Sequence, residues 1–348
     1  MPNTSAAARL VATLFSAVLA CAFVSTATAK PATGATVKGY DYYLVGSAAN
    51  VTVADPIRPS VVLMGGGPDV DAAFAFMIGK AGGGDFVVIR ASGADGYNPY
   101  IFAMGNVDSV ETLVIKTREA AFDPFVLERV AKADALFIAG GDQSDYIRLW
   151  KGTPLEEKIK ALQSRNVPIG GTSAGLAVLG EFDYTGAAGS VTSAEALANP
   201  YNRRMTLDRD FLTAPGLGGV IADAHLDTRD RMGRLLTFVA RIVQDGWVTT
   251  VDAARGIGVD VETALLIDGD VATRAGVGSV YFLRPSVPPV VCKSGTPLTF
   301  RSVGVQRLSG DGSFSLSSWT SPTNAAASYR ISAETGVLTS SQQGGSPY

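Results

Sequence analysis

The chain has 348 residues, 47% of them apolar and 18% charged, with a formal charge of −3. That balance excludes intrinsic disorder, and it leaves neither the basic excess that grips nucleic acid nor a basic patch for anionic lipid. With one histidine and, once the expected export signal is removed, one cysteine, a His/Cys metal site cannot be assembled, and no metal or other cofactor is expected.

Residues 1–29 read as an export signal. Arg9 supplies the positive start, Leu10 to Val24 form a mostly apolar stretch, and Ala27-Thr28-Ala29 fits an A-x-A cleavage site. The expected product begins at Lys30 and is secreted, with no membrane attachment after cleavage; lipid attachment at Cys21 is a second, less well-matched option. Cleavage would leave Cys292 as the lone cysteine, so no intrachain disulfide is expected. Cys292 follows the Pro-rich run Pro285 to Pro289 and has no histidine near it in sequence, which argues against a catalytic thiol.

From Pro59 to Asp268, short β-branched runs alternate with helix-like stretches. Val61–Met64, Phe86–Ile89, Thr112–Ile115 and Ala135–Ala139 are unbroken apolar runs, the pattern of parallel strands buried on both faces. Helical patterns lie between them, at Asp71–Ala81, Asp123–Ala133 and Pro154–Ser164. The expected fold is α/β, a doubly wound, mostly parallel sheet with helices on both faces, occupying residues 30–285. Ligands in such sheets sit beyond the carboxyl ends of the strands. Residues 286–348 are dominated by Ser, Thr and Gly and read as a small β-rich or partly ordered appendage.

The strongest chemical signal is Gly171-Thr172-Ser173-Ala174-Gly175, preceded by a strand-like run and followed by a helix-like one. This is a G-x-S-x-G nucleophile elbow, in which a sharp turn lifts the serine hydroxyl above the sheet edge. The helix start brings the N–H of Ala174 towards a developing oxyanion, and the Gly65-Gly66-Gly67 strand end can supply a partner donor, here assigned to Gly66. A serine needs a base, and the only imidazole is His225. Arg229, Arg231 and Arg234 follow it. Arg231 and Arg234 suit i,i+4 pairing with Asp227 and Asp230 on a helix surface, while position beside the base favours, for some of the three, a clamp for substrate carboxylates. Gly140-Gly141-Asp142-Gln143 ends another strand at the same sheet edge.

Together, Gly140-Gly-Asp-Gln143, Gly171-Thr-Ser-Ala-Gly175, His225 with Arg229-x-Arg-x-x-Arg234, and Gly256-Ile-Gly-Val-Asp260 resemble the peptidase family that includes cyanophycinase and aspartyl dipeptidase, over roughly Pro59 to Asp268. The spacing of these elements favours the cyanophycinase branch. The resemblance implies a class I glutamine-amidotransferase-like fold, Ser173 as nucleophile, His225 as base, and Gln143, Arg229, Arg231 and Arg234 as substrate contacts. It implies cyanophycin as substrate, a polyaspartate backbone bearing arginine on each side-chain carboxyl, cut to β-Asp-Arg dipeptides. The family places an acid directly after the aspartate of its Gly-Ile-Gly element, where this chain has Val261. Glu262 is therefore the expected triad acid, with Asp260, on the same face of a continuous strand, and Glu195 as alternatives. Two rival readings are an exported peptidase for short aspartyl or isoaspartyl peptides and a non-catalytic binding module. A homodimer is open.

Overall fold

The computed structural model describes residues 36–37, 39–47, 49–56, 58–322 and 326–348, so the expected export signal of residues 1–29, with Cys21, lies outside the described residues. The expected apolar runs all become strands of a ten-stranded sheet. Its centre is parallel, in the order Ser109–Ile115, Asp85–Arg90, Ala135–Ile138, Ile169–Thr172 and Ser60–Met64. These strands are buried on both faces. Val62, Met64, Phe86, Val88 and Phe137 pack with the helix Asp71–Ala81 and with Ile101. Val61, Leu63, Val87, Ile89 and Leu136 pack with the helices Pro124–Ala131 and Pro154–Ser164 and with a second sheet. That two-sided burial is why the runs are continuous rather than alternating.

The rest departs from a single doubly wound sheet. Tyr40–Gly46 pairs antiparallel at one side of the parallel core, and Thr263–Asp268, Val271–Gly276 and Ser313–Ser315 extend the other side antiparallel. A second, eight-stranded sheet is mostly antiparallel. Within it, Val220–Asp223 runs parallel to both Phe182–Tyr184 and Arg255–Val259. Connection length is the reason. Only Gly269 and Asp270 separate Thr263–Asp268 from Val271–Gly276, and a two-residue link makes a hairpin, whereas a parallel return needs a crossover of a dozen residues or more.

Residues 286–348 are woven into both sheets instead of hanging from them. Ser313–Ser315 joins the first sheet, while Phe300–Leu308 and Ala327–Glu334 continue the second from Val280–Arg284. Phe314 stacks on Phe282 with ring centroids 3.6 Å apart, and Trp319 meets both rings edge-on. The described residues form one compact unit with no boundary at residue 285. Phe314→Ala should therefore cost about 3–5 kcal/mol of global stability, the range for truncating a fully buried aromatic. Urea denaturation followed by fluorescence and by activity should show both signals shifting together; a shift confined to one would mean that the segment folds separately.

Candidate active site

Four loops meet where the parallel strands end at their carboxyl side: Gly65–Gly67 after Met64, Gly140–Gln143 after Ile138, Ser173 after Thr172, and Ala224–His225 after Asp223. Ser173 has φ 53° and ψ −112°, a conformation that side-chain-bearing residues adopt only when their surroundings impose it. Its N–H donates to the Met64 carbonyl (3.0 Å), and its own carbonyl accepts from the Ala177 N–H (3.1 Å). Gly175 passes so close to the neighbouring strand that a Cβ there would stand 2.0 Å from the Ile138 carbonyl oxygen. Only glycine lets the elbow dock.

The Ser173 Oγ lies 2.8 Å from Nε2 of His225. His225 is also at positive φ (50°), and its N–H donates to the Gly65 carbonyl at 2.8 Å. Gly66 (φ 88°) lies against the ring: a Cβ on it would come within 2.4 Å of Cε1. Burial, reinforced by the charges of Arg229 and Arg231 and opposed by Asp223, pushes the imidazole down to about 4. The ring is thus neutral at pH 7 and offers Nε2 a lone pair for the serine proton. The N–H groups of Gly66 and Ala174 have no acceptor among the described residues, as oxyanion donors require.

A cleft of about 250 Å³ opens from Ser173 and is lined by Gln143, Tyr184, Asp223, Arg229 and Arg231 among others. The three arginines behave differently. Arg229 is exposed, and its guanidinium has no ion pair or hydrogen bond among the described residues. Arg231 donates to the Ala224 carbonyl (2.7 Å) and lies 3.6 Å from the Asp223 carboxylate; burial pushes its guanidinium down to about 10. Arg234, expected as a substrate contact, is 3% exposed and grips Asp223 through two hydrogen bonds of 2.7 and 2.5 Å. Its remaining donors go to Ser190 and the Val191 carbonyl, and it packs over the Tyr184 ring. Its donors face the protein, so it builds the cleft wall. Gln143 begins the helix Gln143–Trp150, capped by Asp142, and donates to the Tyr184 carbonyl at 3.2 Å.

The expected triad acid is not joined to the base. The strand ends at Val259, and residues 260–262 form a turn with Glu262 at φ 51°, so Asp260 and Glu262 do not share a strand face. The Glu262 N–H donates to the Gly66 carbonyl, and its carboxylate makes no hydrogen bond to His225. Asp260 accepts from the Ser279 N–H and the Tyr281 hydroxyl, and burial pushes it up to about 6. Glu195 completes a capping box with Thr192 and pairs with Arg204. Among the described residues, no carboxylate reaches Nδ1 of His225. What fixes the ring is backbone: the Gly65 hydrogen bond and the face of Gly66.

Sequence reasoning missed two residues. Asp223 anchors Arg234, and its position at the end of a strand, two residues before His225, was a readable signal. The hydroxyl of Tyr348 donates to the Asp230 carboxylate (2.7 Å) and accepts from the Met232 N–H (3.1 Å), pinning the arginine loop from a distant segment that no local pattern marks.

Residues 101–198 match the model of Peptidase family S51, a span that includes Gln143 and Ser173 and stops before His225. The chain is 29% identical over 235 residues to a cyanophycinase of Geminocystis herdmanii, covering 62% of this chain and 76% of the relative. It is 30% identical over 189 residues to a cyanophycinase of Trichormus variabilis, covering 53% of this chain and 57% of the relative. The chain is a serine-type peptidase, similar over residues 101–198 to Peptidase family S51. A solved peptidase from an acI-B1 Actinobacterium overlays more loosely, with 18% identity, a TM-score of 0.45, and coverage of 75% of this chain and 98% of that one.

In this peptidase, Gly66 supports the imidazole and the Glu262 carboxylate does not touch it. Gly66→Ala should lower kcat/KM by at least about 10²-fold, because its Cβ would displace the ring from Ser173. Glu262→Gln should stay within about threefold of the parent. A Glu262→Gln loss as deep as that of His225→Ala, in steady-state assays, would restore the carboxylate to the catalytic set.

Proposed function

We propose that this peptidase is secreted and hydrolyses cyanophycin by acyl transfer, releasing β-Asp-Arg units. The observation that carries the reading is the 2.8 Å contact between Ser173 and a neutral His225, at the mouth of a cleft where Arg229 holds an uncommitted guanidinium. Each unit of the polymer carries a free arginine carboxylate, which a planar guanidinium recognises through two parallel hydrogen bonds. In the first half-reaction His225 takes the Ser173 proton, Oγ attacks the backbone carbonyl of a β-linked aspartyl unit, and the N–H groups of Gly66 and Ala174 receive the oxyanion. The C–N bond then breaks, and the imidazolium returns its proton to the leaving amine. Water, deprotonated by the same ring, attacks the ester and frees the acid and the serine hydroxyl.

A substrate carboxylate on Arg229 does more than position. It offsets the positive field that helps hold His225 down, so the bound substrate makes its own base stronger. A cleft of about 250 Å³ admits roughly one dipeptide unit, which suits cutting from a chain end. The same small volume also favours the alternative reading, a peptidase for short aspartyl or isoaspartyl peptides.

Purified enzyme given insoluble cyanophycin should release β-Asp-Arg, and Ser173→Ala should release none above background. Turnover of short Asp-X peptides alone would select the alternative. The acid limb of kcat/KM reports the free enzyme and should fall near pH 4, below the ordinary histidine value, because His225 must be deprotonated. The limb of kcat reports the complex and should lie at higher pH. In Arg229→Ala the free-enzyme limb should also move up, since a repelling charge is gone; an unmoved limb would show that the arginine does not act on the ring.

A further inference from the structure

A second groove, of about 860 Å³, opens over the strands Val280–Arg284, Phe300–Leu308 and Ala327–Glu334. It is larger than the catalytic cleft and lies outside the span that matches the family model. Arg284 and Arg330 line it together with Gln306, Trp319 and Tyr329. Behind them, Arg255 stacks over Trp319, its guanidinium carbon 4.8 Å from the ring centroid.

The charge here is unbalanced. Among the described residues, none of the three arginines is in an ion pair. Their guanidinium hydrogen bonds go only to backbone carbonyls: Arg255 to Leu316 (3.3 Å), Arg284 to Ser318 (3.5 Å) and Arg330 to Ser302 (2.9 Å). Among the described residues, Asp252, exposed, is the one carboxylate lining the groove. Burial, and then the neighbouring charge of Arg284, lower the pKa of Arg255. Among the described residues, two buried donors, the Trp319 indole N–H and the Arg255 Nε–H, have no acceptor. The buried donors are closed to a ligand, whereas the guanidiniums of Arg284 and Arg330 line the groove without an ion pair among the described residues and are open to an anion. In a chain of net charge −3, such a cluster is not the residue of a generally basic surface.

We propose that this groove is a second binding site, which takes carboxylate-ended arms of the polymer while another stretch of the same chain is cut at Ser173. The proposal rests on the polymer reading given under Proposed function. Guanidinium forks suit carboxylates, and an insoluble chain presents the same arm at every unit, so one contact raises the local concentration for the other. The groove performs no chemistry. Its contribution is to keep the enzyme on the granule between cuts.

The test uses full-length Ser173→Ala protein, which binds without cutting, pelleted with insoluble cyanophycin with and without the pair Arg284→Ala and Arg330→Ala. The expected result is an apparent Kd raised about tenfold by the pair, a difference that shrinks as salt is added. In the active background, the pair should leave kcat/KM on a short soluble β-aspartyl-arginine peptide within about twofold, which also shows that the site has folded. Equal binding by both versions, with the parent enzyme still releasing dipeptide from granules, overturns the groove and spares the substrate reading. A parent enzyme that cuts the short peptide but neither binds nor cuts granules overturns the polymer reading, and the groove's assignment with it.

Discussion

Everything at this site depends on two residues being held in backbone conformations that neither would choose. Ser173 and His225 both sit at positive φ at strand ends, and the hydroxyl meets the imidazole only because both are held there. Such conformations cost on the order of 1–3 kcal/mol each and persist when the surroundings over-determine them. Here the surroundings are backbone: the docking of Gly175 on Ile138, the hydrogen bonds from Ser173 to Met64 and from His225 to Gly65, and the flat face of Gly66 against the ring. The parallel core, buried on both faces, supplies the rigidity. Strands that cannot shift without breaking two packed layers make a stiff mount for a strained serine.

The electrostatics follow from the same geometry. A buried imidazole beside two arginines is a weak base, but it is a neutral one, and neutrality is what the first proton transfer needs. Asp223 prevents the arginine cluster from being purely repulsive. It neutralises Arg234 inside the wall and lies 3.6 Å from Arg231, and among the described residues Arg229 has no ion pair at the mouth. Breaking a buried pair of that kind typically costs about 3–5 kcal/mol, so Asp223 and Arg234 are structural as a unit even though they line the cleft. Among the described residues no carboxylate reaches Nδ1; under the proposed function, the carboxylate of the substrate compensates the imidazolium formed during reaction.

The sequence was informative wherever the determinant is local. Unbroken apolar runs revealed the parallel strands because burial on both faces leaves no room for alternation, and the elbow was readable because its glycines are needed within five residues. It was uninformative where the determinant is tertiary. Strands such as Phe300–Leu308 are half-buried and rich in polar residues, so residues 286–348, which complete the second sheet, resembled an appendage. Asp260 and Glu262 resembled same-face strand neighbours until the turn at 260–262 separated them. Arg234 resembled its two companions, and only the position of Asp223 sets it apart. Tyr348 reaches the arginine loop across more than a hundred residues, a contact that no sequence window contains.

Reaction of the protein with a serine-directed phosphonate, mapped by peptide mass spectrometry, addresses the union of hydroxyl and imidazole without reference to any substrate. The account predicts a single adduct on Ser173, formed at neutral pH and lost in His225→Ala. Absence of an adduct, or modification at any other residue with Ser173 untouched, would contradict it.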